Sequence, residues 1–274
     1  MEYFPKISII TVCYNSAATI ESTILSVLGQ SYKNIEYIIV DGKSKDSTLE
    51  IVNRYKDRIA QIISEKDAGI FDAFNKGISM ANGEIIGIIN SDDMYADEFV
   101  IEQVVQCFNK YHTDTVYGDL VYVDKVHPSK VIRYWKSCDY NQRLFKWGWM
   151  PPHPTYFVKS ELYKKFGIFN LEMKISNDYE IILRFLHKHK CSASYLHKIF
   201  VMMRTGGNSD GGIKRRMKAN KEDKMSWKMN GLHIGLFTAL LKPLRKLNQF
   251  FIPKHIKKLI AEKSKKWITD LSLH

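Results

Sequence analysis

The ten residues 84–93 read EIIGIINSDD, an apolar run that ends in an asparagine, a serine and two adjacent aspartates. The run from Glu84 to Ile89 predicts a buried β-strand, and Asp92 and Asp93 follow it in a predicted turn. Two neighbouring carboxylates repel each other unless a cation or hydrogen-bond donors compensate them. Oxygen ligands of this kind suit Mg²⁺ or Mn²⁺, which in turn bind a diphosphate. The alternative interpretation is a cap for a helix that begins after Met94.

Three strand-and-helix units precede this run. Short β-branched strands alternate with amphipathic helices, which is typical of an α/β fold with a mostly parallel central sheet flanked by helices. The predicted elements are strand Ile7–Cys13, helix Ala18–Leu28, strand Ile35–Val40, helix Ser47–Tyr55, strand Ile59–Ser64 and helix Ile70–Met80.

Polar residues stand at or just after the ends of several predicted strands. These are Asn15, Asp41 and Asp67, together with the Asp92–Asp93 pair. In open, mostly parallel sheets, ligands bind outside the carboxyl ends of the strands because the loops converge there. The sequence therefore predicts one binding site at this edge of the sheet.

The remainder of the first 213 residues is less regular. An aromatic-rich loop at 145–154 and a glycine-rich stretch at 205–212 interrupt it. Four glycines in that stretch predict a mobile lid that closes with Arg204 over a diphosphate, or else a surface hairpin. The other predicted elements are helix Asp97–Tyr111, strands Thr115–Val123 and Lys130–Trp135, helix Ser176–His187, and strands Ala193–Leu196 and Phe200–Met203.

Composition excludes several classes of protein. With 274 residues, 45% of them hydrophobic, the chain can bury the core of one large α/β domain with an appendage. Its four scattered cysteines indicate neither a zinc site nor a disulfide framework, so a reducing, cytoplasmic setting is expected. No secretion signal is predicted, and the apolar stretch 231–241 is too short to span a bilayer.

The first strand is followed by Tyr14-Asn15-Ser16 rather than by a glycine-rich phosphate loop. This argues against a dinucleotide-dependent oxidoreductase and against a P-loop phosphotransferase. Phosphates bound here must be neutralised by a metal ion instead of a glycine cradle.

Five segments in order and spacing resemble glycosyltransferase family 2. They are IITVCYN at 9–15, LSVLGQSY at 25–32, YIIVDGKSKDST at 37–48, SEKDAGIFDAFNKG at 64–77 and NSDD at 90–93. The resemblance covers about residues 5–210. It implies a GT-A fold, a nucleotide-sugar donor that is usually a UDP-sugar, and inversion at the anomeric carbon.

The resemblance also assigns roles to residues at the strand ends. Thr11, Asn15 and Asp41 are expected to contact the nucleoside, and Asp67 to line the same pocket. Asp92 is expected to face the ribose and the metal. Asp93 is expected to be the direct ligand of Mn²⁺ or Mg²⁺.

Asp178, within the sequence SNDYE at 176–180, matches the position of the family's catalytic base. Inversion by direct displacement needs a base that accepts the proton of the acceptor hydroxyl. Glu180 is the second choice, and helix capping is the alternative role for Asp178. The family more often has aspartate where Asn170 stands, so Asn170 receives no catalytic role.

The aromatic-rich loop also contains candidate pocket residues. His153 lies where related sequences carry a pocket-wall motif, so it either orients a substrate or is a structural histidine. Trp147 and Trp149 either stack on a sugar ring or pack in the core.

Charged residues are distributed unevenly on the two sides of residue 213. Residues 1–213 hold 25 Lys and Arg against 25 Asp and Glu, whereas 214–274 hold 16 against four. We therefore predict a catalytic domain at 1–213 and a basic amphipathic helical tail at 214–274. An apolar stripe of Ile256, Leu259, Ile260 and Trp267 with lysines opposite predicts a helix on an anionic membrane surface. A helix packed on the domain and a nucleic-acid contact are the alternatives, and nucleic acid is the one disfavoured by the lack of a recognisable module.

The sequence thus predicts a peripheral enzyme of the inner membrane face that glycosylates a lipid-linked or other glycan acceptor, as in assembly of bacterial surface polysaccharide. Two alternatives belong to other classes. One is a nucleotide- or glycan-binding module without turnover, and the other is a sugar nucleotidyltransferase, which normally needs a glycine-rich basic loop that is absent here.

Overall fold

A computed structural model of the chain describes residues 4–206, 212–235, 238 and 247–271. Within these residues, nine strands form one sheet. The strands are β1 (Ile7–Cys13), β2 (Ile35–Asp41), β3 (Gln61–Ser64), β4 (Ile85–Ile88), β5 (Asp93–Tyr95), β6 (Thr115–Val123), β7 (Val131–Trp135), β8 (Phe157–Lys159) and β9 (Ala193–Arg204).

The α-helices flank this sheet. They are α1 (Ile20–Leu28), α2 (Thr48–Arg54), α3 (Ile70–Met80), α4 (Val100–Tyr111), α5 (Ser160–Phe166), α6 (Asn177–Ile182), α7 (Ile213–Met229) and α8 (Lys254–Leu271). A π-helical turn, Leu183–Lys188, continues α6, and short 3₁₀ turns occur at Lys56–Arg58, Gln142–Trp147, His153–Thr155 and Leu247–Phe250.

The strands are arranged in the order β3-β2-β1-β4-β8-β6-β9-β5, and β7 pairs with β6. Strands β3, β2, β1 and β4 are mutually parallel, and β6 and β9 form a second parallel pair. Strand β8 runs antiparallel to both β4 and β6 and joins the two parts. The predicted α/β fold with a mostly parallel sheet flanked by helices is confirmed.

Alternation along the central strands builds a core on each face of the sheet. Ile10 and Val40 lie in a cluster with Phe74 of α3, whereas Ile9 and Ile39 lie in a cluster with residues of α1 and α4. Side chains two residues apart share a face of a strand, so an unbroken apolar run is needed to cover both faces. This burial fixes the strands whose carboxyl ends carry the predicted site.

The boundaries of most elements were predicted to within three residues, and the differences are informative. Two strands were expected between residues 193 and 203, but the structure has the single strand β9. The predicted gap falls where the register of β6 and β9 shifts between Tyr117 and Leu120. Strands β5 and β8 and helix α5 were not predicted, because three residues or two turns show too little periodicity.

The basic C-terminal segment packs on the preceding residues. Ile256 and Ile260 of α8 are buried in a third apolar cluster with Met94, Val121 and Met202. Burying an isoleucine side chain stabilises a fold by about 1.5–3 kcal/mol. Ile256 and Ile260 of the predicted lipid-facing stripe therefore cover the sheet instead, as in the alternative of a packed helix, whereas Leu259 of the same stripe is 37% exposed. The side chain of Trp267 lies outside the described residues.

No helix among the described residues is long and apolar enough to cross a bilayer.

An ion-pair cluster fixes α8 to the end of β5. The carboxylate of Asp97 is paired with Lys263 of α8 and, at 3.1 Å, with Lys198 of β9. Burial opposes the charged form of Asp97, but Lys263 and Lys198 together outweigh burial and lower the pKa of this carboxyl. Asp97 is mostly buried, so the pair is less screened than a surface ion pair.

We expect the Tm of Asp97→Asn to fall less steeply than that of the native chain as the pH is lowered from 7. When folding lowers the pKa of a carboxyl, its charged form adds to the free energy of unfolding. This contribution is fully present above the pKa of the unfolded chain, about 3.9, and is lost as the pH falls through the pKa of the folded protein. At pH 7 the variant should lose on the order of 1 kcal/mol, the upper end of the range for ion pairs that solvent still reaches, or about 2–4 °C in Tm. Melting curves between about pH 3 and 7 measure both effects. Asp139→Asn, at an exposed position, is the control, and parallel curves for Asp97→Asn and the native chain would contradict this role.

Candidate active site

The two aspartates occupy a backbone-clamped turn at the end of β4. Asp92 lies in the turn, and Asp93 is the first residue of β5. The Asp92 carbonyl accepts a hydrogen bond from Arg204 Nη1 at 2.8 Å, and the Asp93 carbonyl accepts one from Thr23 Oγ1 at 2.7 Å. Because a strand follows Asp93, the alternative of a helix cap at this position is wrong.

The Asp93 carboxylate is completely buried, and only one of its two oxygens accepts a hydrogen bond of normal geometry from the described residues. Its Oδ2 accepts a hydrogen bond from Asn90 Nδ2 at 2.9 Å, whereas its Oδ1 has no partner of normal hydrogen-bond geometry within the described part of the chain, although the Arg204 backbone N–H lies near this carboxylate. Burial, followed by the charge of Asp92, raises the pKa of Asp93 well above its usual range. Burial also raises the pKa of Asp92, against the opposing charges of Arg204 and Lys125.

This donor set fits a small divalent cation. An uncommitted buried carboxylate oxygen beside a second carboxylate is what a hard cation would neutralise. No group of three His, Cys, Asp or Glu side chains suitable for a metal occurs among the residues that the structure describes. Mg²⁺ commonly uses one or two carboxylates, with substrate phosphates and water completing its coordination. The pair is therefore suited to a cation that arrives with a diphosphate.

Arg204 lies beneath the acidic turn. Its guanidinium is buried, donating to the Asp92 carbonyl and to Ser22 Oγ at 3.0 Å. Burial lowers the pKa of Arg204, and the two aspartates oppose that change. Arg204 is thus fixed in the site. Residues 207–211 of the predicted lid lie outside the described residues.

Hydrogen bonds join the loops that follow β1, β2 and β4. Asn15, with a left-handed φ of 51°, donates its backbone N–H to Ser44 Oγ at 2.8 Å and accepts the Lys45 N–H through Oδ1 at 2.8 Å. The hydroxyls of Ser16 and Ser91 are 2.9 Å apart. The predicted convergence of strand ends is therefore present, with Asn15 as an organising residue of the loops.

Two predicted nucleoside-contacting side chains are buried in the protein. Asp41 Oδ2 accepts hydrogen bonds from the Ser44 N–H at 3.0 Å and the Ser64 hydroxyl at 2.6 Å, while its Oδ1 accepts the Ser44 hydroxyl. Thr11 Oγ1 accepts a hydrogen bond from the buried Tyr37 hydroxyl at 3.1 Å. Asp41 and Thr11 have no exposed surface; the Asp41 side chain holds the loop at Ser44 against Ser64, whereas Thr11 lies within β1 and contacts β2.

Beside Asp41, Gly42 allows two accessible side chains to converge. A Cβ at Gly42 would lie 2.5 Å from Asp67 Oδ2 and 3.4 Å from Tyr14 Cδ2. Asp67 is partly exposed, and the Tyr14 side chain is 57% exposed. The Tyr14 ring and the Asp67 carboxylate therefore form the open wall of this part of the site. Sequence reasoning did not single out Tyr14, although it directly precedes Asn15.

Asp178 is the second residue of α6 and is half-buried, with Oδ1 accepting the Tyr179 N–H at 2.8 Å. The segment that leads into this helix is held from α7. Glu222 Oε2 accepts the N–H groups of Ile175 at 2.8 Å and Ser176 at 2.9 Å. Glu222 thus fixes the segment before the helix, while Asp178 accepts one N–H of the first turn, so the capping alternative for Asp178 stands beside the proposed catalytic one.

Glu180, the second choice for a base, is committed elsewhere. Its carboxylate is buried, pairs with Arg184 at 2.9 Å and accepts a hydrogen bond from Asn230 Nδ2 at 2.9 Å. Asn170 builds a turn, accepting the Glu172 N–H at 3.0 Å and donating its own N–H to Asn177 Oδ1 at 3.2 Å. Both arrangements are structural.

His153 adjoins Asp178 at the aromatic loop. Its ring centroid lies 6.0 Å from that of Phe74 and 6.0 Å from that of Phe169. Burial lowers the pKa of His153, while the nearby charge of Asp178 opposes that change. Burial thus favours the neutral form of the His153 imidazole, which lies within electrostatic range of Asp178. Trp149 is buried in the core, whereas Trp147 is 52% exposed and available to a ligand.

The fold and the clamped acidic turn together define a GT-A-type transferase architecture. The model of the family described as Glycosyl transferase family 2 matches residues 8–167. An uncharacterised glycosyltransferase of Mycobacterium tuberculosis is 30% identical over 187 residues, which cover 66% of this chain and 68% of that protein. A PGL/p-HBAD biosynthesis glycosyltransferase of Mycobacterium bovis is 26% identical over 198 residues, covering 71% and 75%. The chain belongs to glycosyltransferase family 2.

Solved structures of similar fold contain sugar nucleotides. Residues 1–349 of Staphylococcus aureus TarS in complex with UDP-GlcNAc give a TM-score of 0.65 at 16% identity, covering 93% of this chain and 70% of that one. A mannosyltransferase from Pyrobaculum calidifontis in complex with GDP-Man and Mn²⁺ gives 0.62 at 15% identity, covering 99% and 76%. At these identities the likeness concerns the fold.

Proposed function

We propose that this glycosyltransferase moves a sugar, with inversion, from a UDP-sugar to a hydroxyl of a lipid-linked or other glycan acceptor in cell-surface polysaccharide synthesis. The observation that carries the proposal is the buried Asp93 carboxylate, whose Oδ1 lacks a partner of normal hydrogen-bond geometry among the described residues and lies beside Asp92. No observation favours a non-catalytic binding module or a sugar nucleotidyltransferase.

In this proposal the donor lies across the joined strand-end loops. The nucleoside contacts the wall formed by Tyr14 and Asp67, while Asn15 and Asp41 order the loops that carry that wall, and Thr11 lies behind them in β1. Asp92 faces the ribose and the metal. The UDP-GlcNAc complex of TarS supports a UDP-sugar, and the GDP-Man complex of the archaeal mannosyltransferase makes GDP-Man the alternative to test.

Asp93, with Asp92, would hold a Mn²⁺ or Mg²⁺ ion. When bound, such an ion supplies Lewis-acid stabilisation of the negative charge that develops on the departing diphosphate. Arg204 contributes a fixed positive charge beneath the same turn. The two aspartates and Arg204 thus set the charge around the leaving group.

Asp178 acts as the base. Its carboxylate accepts the proton of the acceptor hydroxyl as that oxygen bonds to the anomeric carbon and the bond from this carbon to the diphosphate breaks. Burial lowers the pKa of His153, so this histidine is a weaker proton acceptor than a free imidazole near Asp178. Residues 1–213 carry these groups in our proposal, and the basic segment 214–274 supports them and brings the enzyme to the anionic inner face of the membrane.

A donor screen tests the proposed reaction. The full chain is incubated with Mn²⁺ and single UDP- or GDP-sugars, and nucleoside diphosphate release is followed with and without a polyprenyl-phosphate-linked acceptor. We expect release from one UDP-sugar that needs the metal and rises with acceptor, and a product of inverted anomeric configuration. Release that is indifferent to a chelator, or a product of retained configuration, would refute the mechanism.

The hydrogen bonds that Glu222 accepts from residues 174–176 lead to a separate prediction. In Glu222→Gln, an amide takes the place of the carboxylate that accepts the N–H groups of residues 174–176. We expect kcat to fall about tenfold, because a small displacement of a catalytic group is costly, while the KM for the donor is unchanged. Loss of charged hydrogen bonds should also cost about 1.5–3 kcal/mol of folding free energy.

The control for this variant is Glu172→Gln, at an exposed position on the same loop. Steady-state kinetics well below Tm separate the two effects. If Glu222→Gln lowers Tm but keeps the native kcat, then Glu222 supports the fold alone.

A further inference from the structure

Two adjacent phenylalanines protrude immediately before α8. Phe250 is 59% exposed and Phe251 is 81% exposed. Isolated exposed apolar residues are common, but two consecutive exposed phenylalanines concentrate apolar surface at one point of the solvent-exposed surface. Pro253 then turns the chain into α8, since its carbonyl accepts the N–H of Ile256 at 3.1 Å. The phenylalanines are therefore attached directly to the start of a docked helix.

The outer face of α8 is cationic. Because Ile256 and Ile260 face the sheet, the opposite side of the helix carries exposed Lys254 and Lys258, and Lys257 is also exposed at its flank. Leu259 adds a 37% exposed apolar side chain, and Glu262 is an exposed acid further along. Lys263 is occupied by Asp97. We call Phe250, Phe251, Leu259, Lys254, Lys257 and Lys258 the Phe-Lys surface.

We propose that the Phe-Lys surface docks the protein on an anionic lipid bilayer. The phenylalanine rings enter the boundary between headgroups and acyl chains, and the lysines meet lipid phosphates. This differs from the sequence prediction, because the stripe formed by Ile256 and Ile260 is already buried against the sheet. The inference rests on the proposed function in that a lipid-linked acceptor requires the enzyme at a membrane.

Charge favours lipid over the other possible occupants. A second copy of the chain would bring the same lysines face to face, which is unfavourable for like charges. A nucleic acid would neutralise the lysines, but a duplex presents no apolar layer for two phenylalanines. An anionic bilayer matches both halves of the surface, and residues 214–274 as a whole hold 16 Lys and Arg against four Asp and Glu.

Vesicle co-sedimentation of the full chain tests this proposal. Vesicles of phosphatidylglycerol and phosphatidylcholine in equal parts are compared with vesicles of phosphatidylcholine alone. We expect binding to the anionic vesicles that weakens with salt. Each lysine near an anionic surface is worth about a fivefold change in partitioning, so K254Q/K257Q/K258Q should bind at least about tenfold more weakly. F250S/F251S should lose at least about tenfold through lost apolar burial.

Matched controls carry the same changes elsewhere on the surface. F4S/Y111S removes two exposed aromatic rings, and K56Q/K164Q/K188Q removes three exposed lysines. Both controls should bind like the native chain. Equal binding by the Phe-Lys variants and their controls, or equal binding to neutral and anionic vesicles, would overturn the proposal, as would vesicle binding abolished by nuclease.

UDP binding and sugar transfer to a water-soluble acceptor are measured on the same variants. Neither should change, because none of the substituted residues belongs to the proposed active site. Absence of transfer in the native chain would count against the proposed function, whereas unchanged vesicle binding in F250S/F251S and K254Q/K257Q/K258Q counts against the Phe-Lys surface. The two failures are therefore distinguishable.

Discussion

Asp93→Asn is expected to lower kcat by about 100-fold or more while the protein stays folded. The substitution removes the charge of the carboxylate whose Oδ1 has no partner of normal hydrogen-bond geometry among the described residues, and so removes the proposed ligand of the metal. Metal stabilisation of transition-state charge is worth several kcal/mol, and each 1.36 kcal/mol is about tenfold in rate. Steady-state rates with Mn²⁺ and the donor found by the screen measure the loss.

The same variant should not be less stable in the absence of metal. Asp93 is completely buried, and its like-charged neighbour Asp92 makes ionisation costly. An asparagine of the same shape relieves that repulsion and still offers an oxygen to the Asn90 amide. We therefore expect a Tm without metal that equals or exceeds that of the native chain.

Added Mn²⁺ provides a readout that is independent of turnover. A ligand that binds the folded state alone raises stability by about 2.7 kcal/mol at 100 times its Kd. With UDP present, Mn²⁺ should raise the Tm of the native chain and have little effect on Asp93→Asn. Asp119→Asn is the matched control, because Asp119 is also a buried strand carboxylate but is held by Tyr134, Tyr195 and the Ser137 N–H. A native-like metal response in Asp93→Asn would exclude it as the ligand.

The first four strands and their helices were predictable from sequence because their signals are local. Apolar runs long enough to cover both faces of a sheet predicted β1, β2, β3 and β4, and each is followed by polar residues. The parallel order then brings those polar residues to one edge. Convergence of Asn15, Asp41, Asp67 and the Asp92–Asp93 turn therefore needed no knowledge of side-chain contacts.

What each residue does at that edge could not be predicted in the same way. An aspartate that ends a strand has the same sequence pattern whether it faces a ligand or, like Asp41, accepts hydrogen bonds from neighbouring serines. Gly42 and Tyr14 define the open wall next to it through a close approach to Asp67, which lies about two dozen residues along the chain. Such contacts depend on packing between loops.

Long-range partners were the least predictable part of the site. The acidic turn depends on Arg204, which is separated from Asp92 by 112 positions, and the start of α6 depends on Glu222. Hydrophobic periodicity does not report these pairings. For the same reason, the division of charge at residue 213 conceals that α7 supports the helix bearing Asp178.

Asp178→Asn should reduce transfer by about 100- to 10,000-fold, the range expected on removing a general base. The change is nearly isosteric, and the amide oxygen that it introduces can still accept the Tyr179 N–H that Asp178 accepts now. The hydrogen bonds of Glu222 to the segment before α6 are untouched, so the backbone there should not move. Loss of rate would then reflect the missing proton acceptor.

Binding measurements on the Asp178 variant must accompany the rate. Asp178 belongs to α6, whereas the proposed contacts to UDP and metal belong to the β1, β3 and β4 loops, so the Kd for UDP with Mn²⁺ should match the native value. Calorimetric titration measures that Kd, and single-turnover transfer measures the chemical step. In Asp93→Asn the reverse pattern is expected, with the metal response lost together with the rate.

Glu180→Gln serves as the control for the base because it removes a carboxylate two positions along the same helix. The change disrupts the pair with Arg184 and the acceptor for Asn230. Since this breaks a buried pair, it should cost about 3–5 kcal/mol of stability. At a temperature where it remains folded, however, the variant should keep kcat within about tenfold of native, because its lost contacts only orient the helix. If Glu180→Gln abolished transfer while Asp178→Asn retained it, the base would have to be reassigned to Glu180.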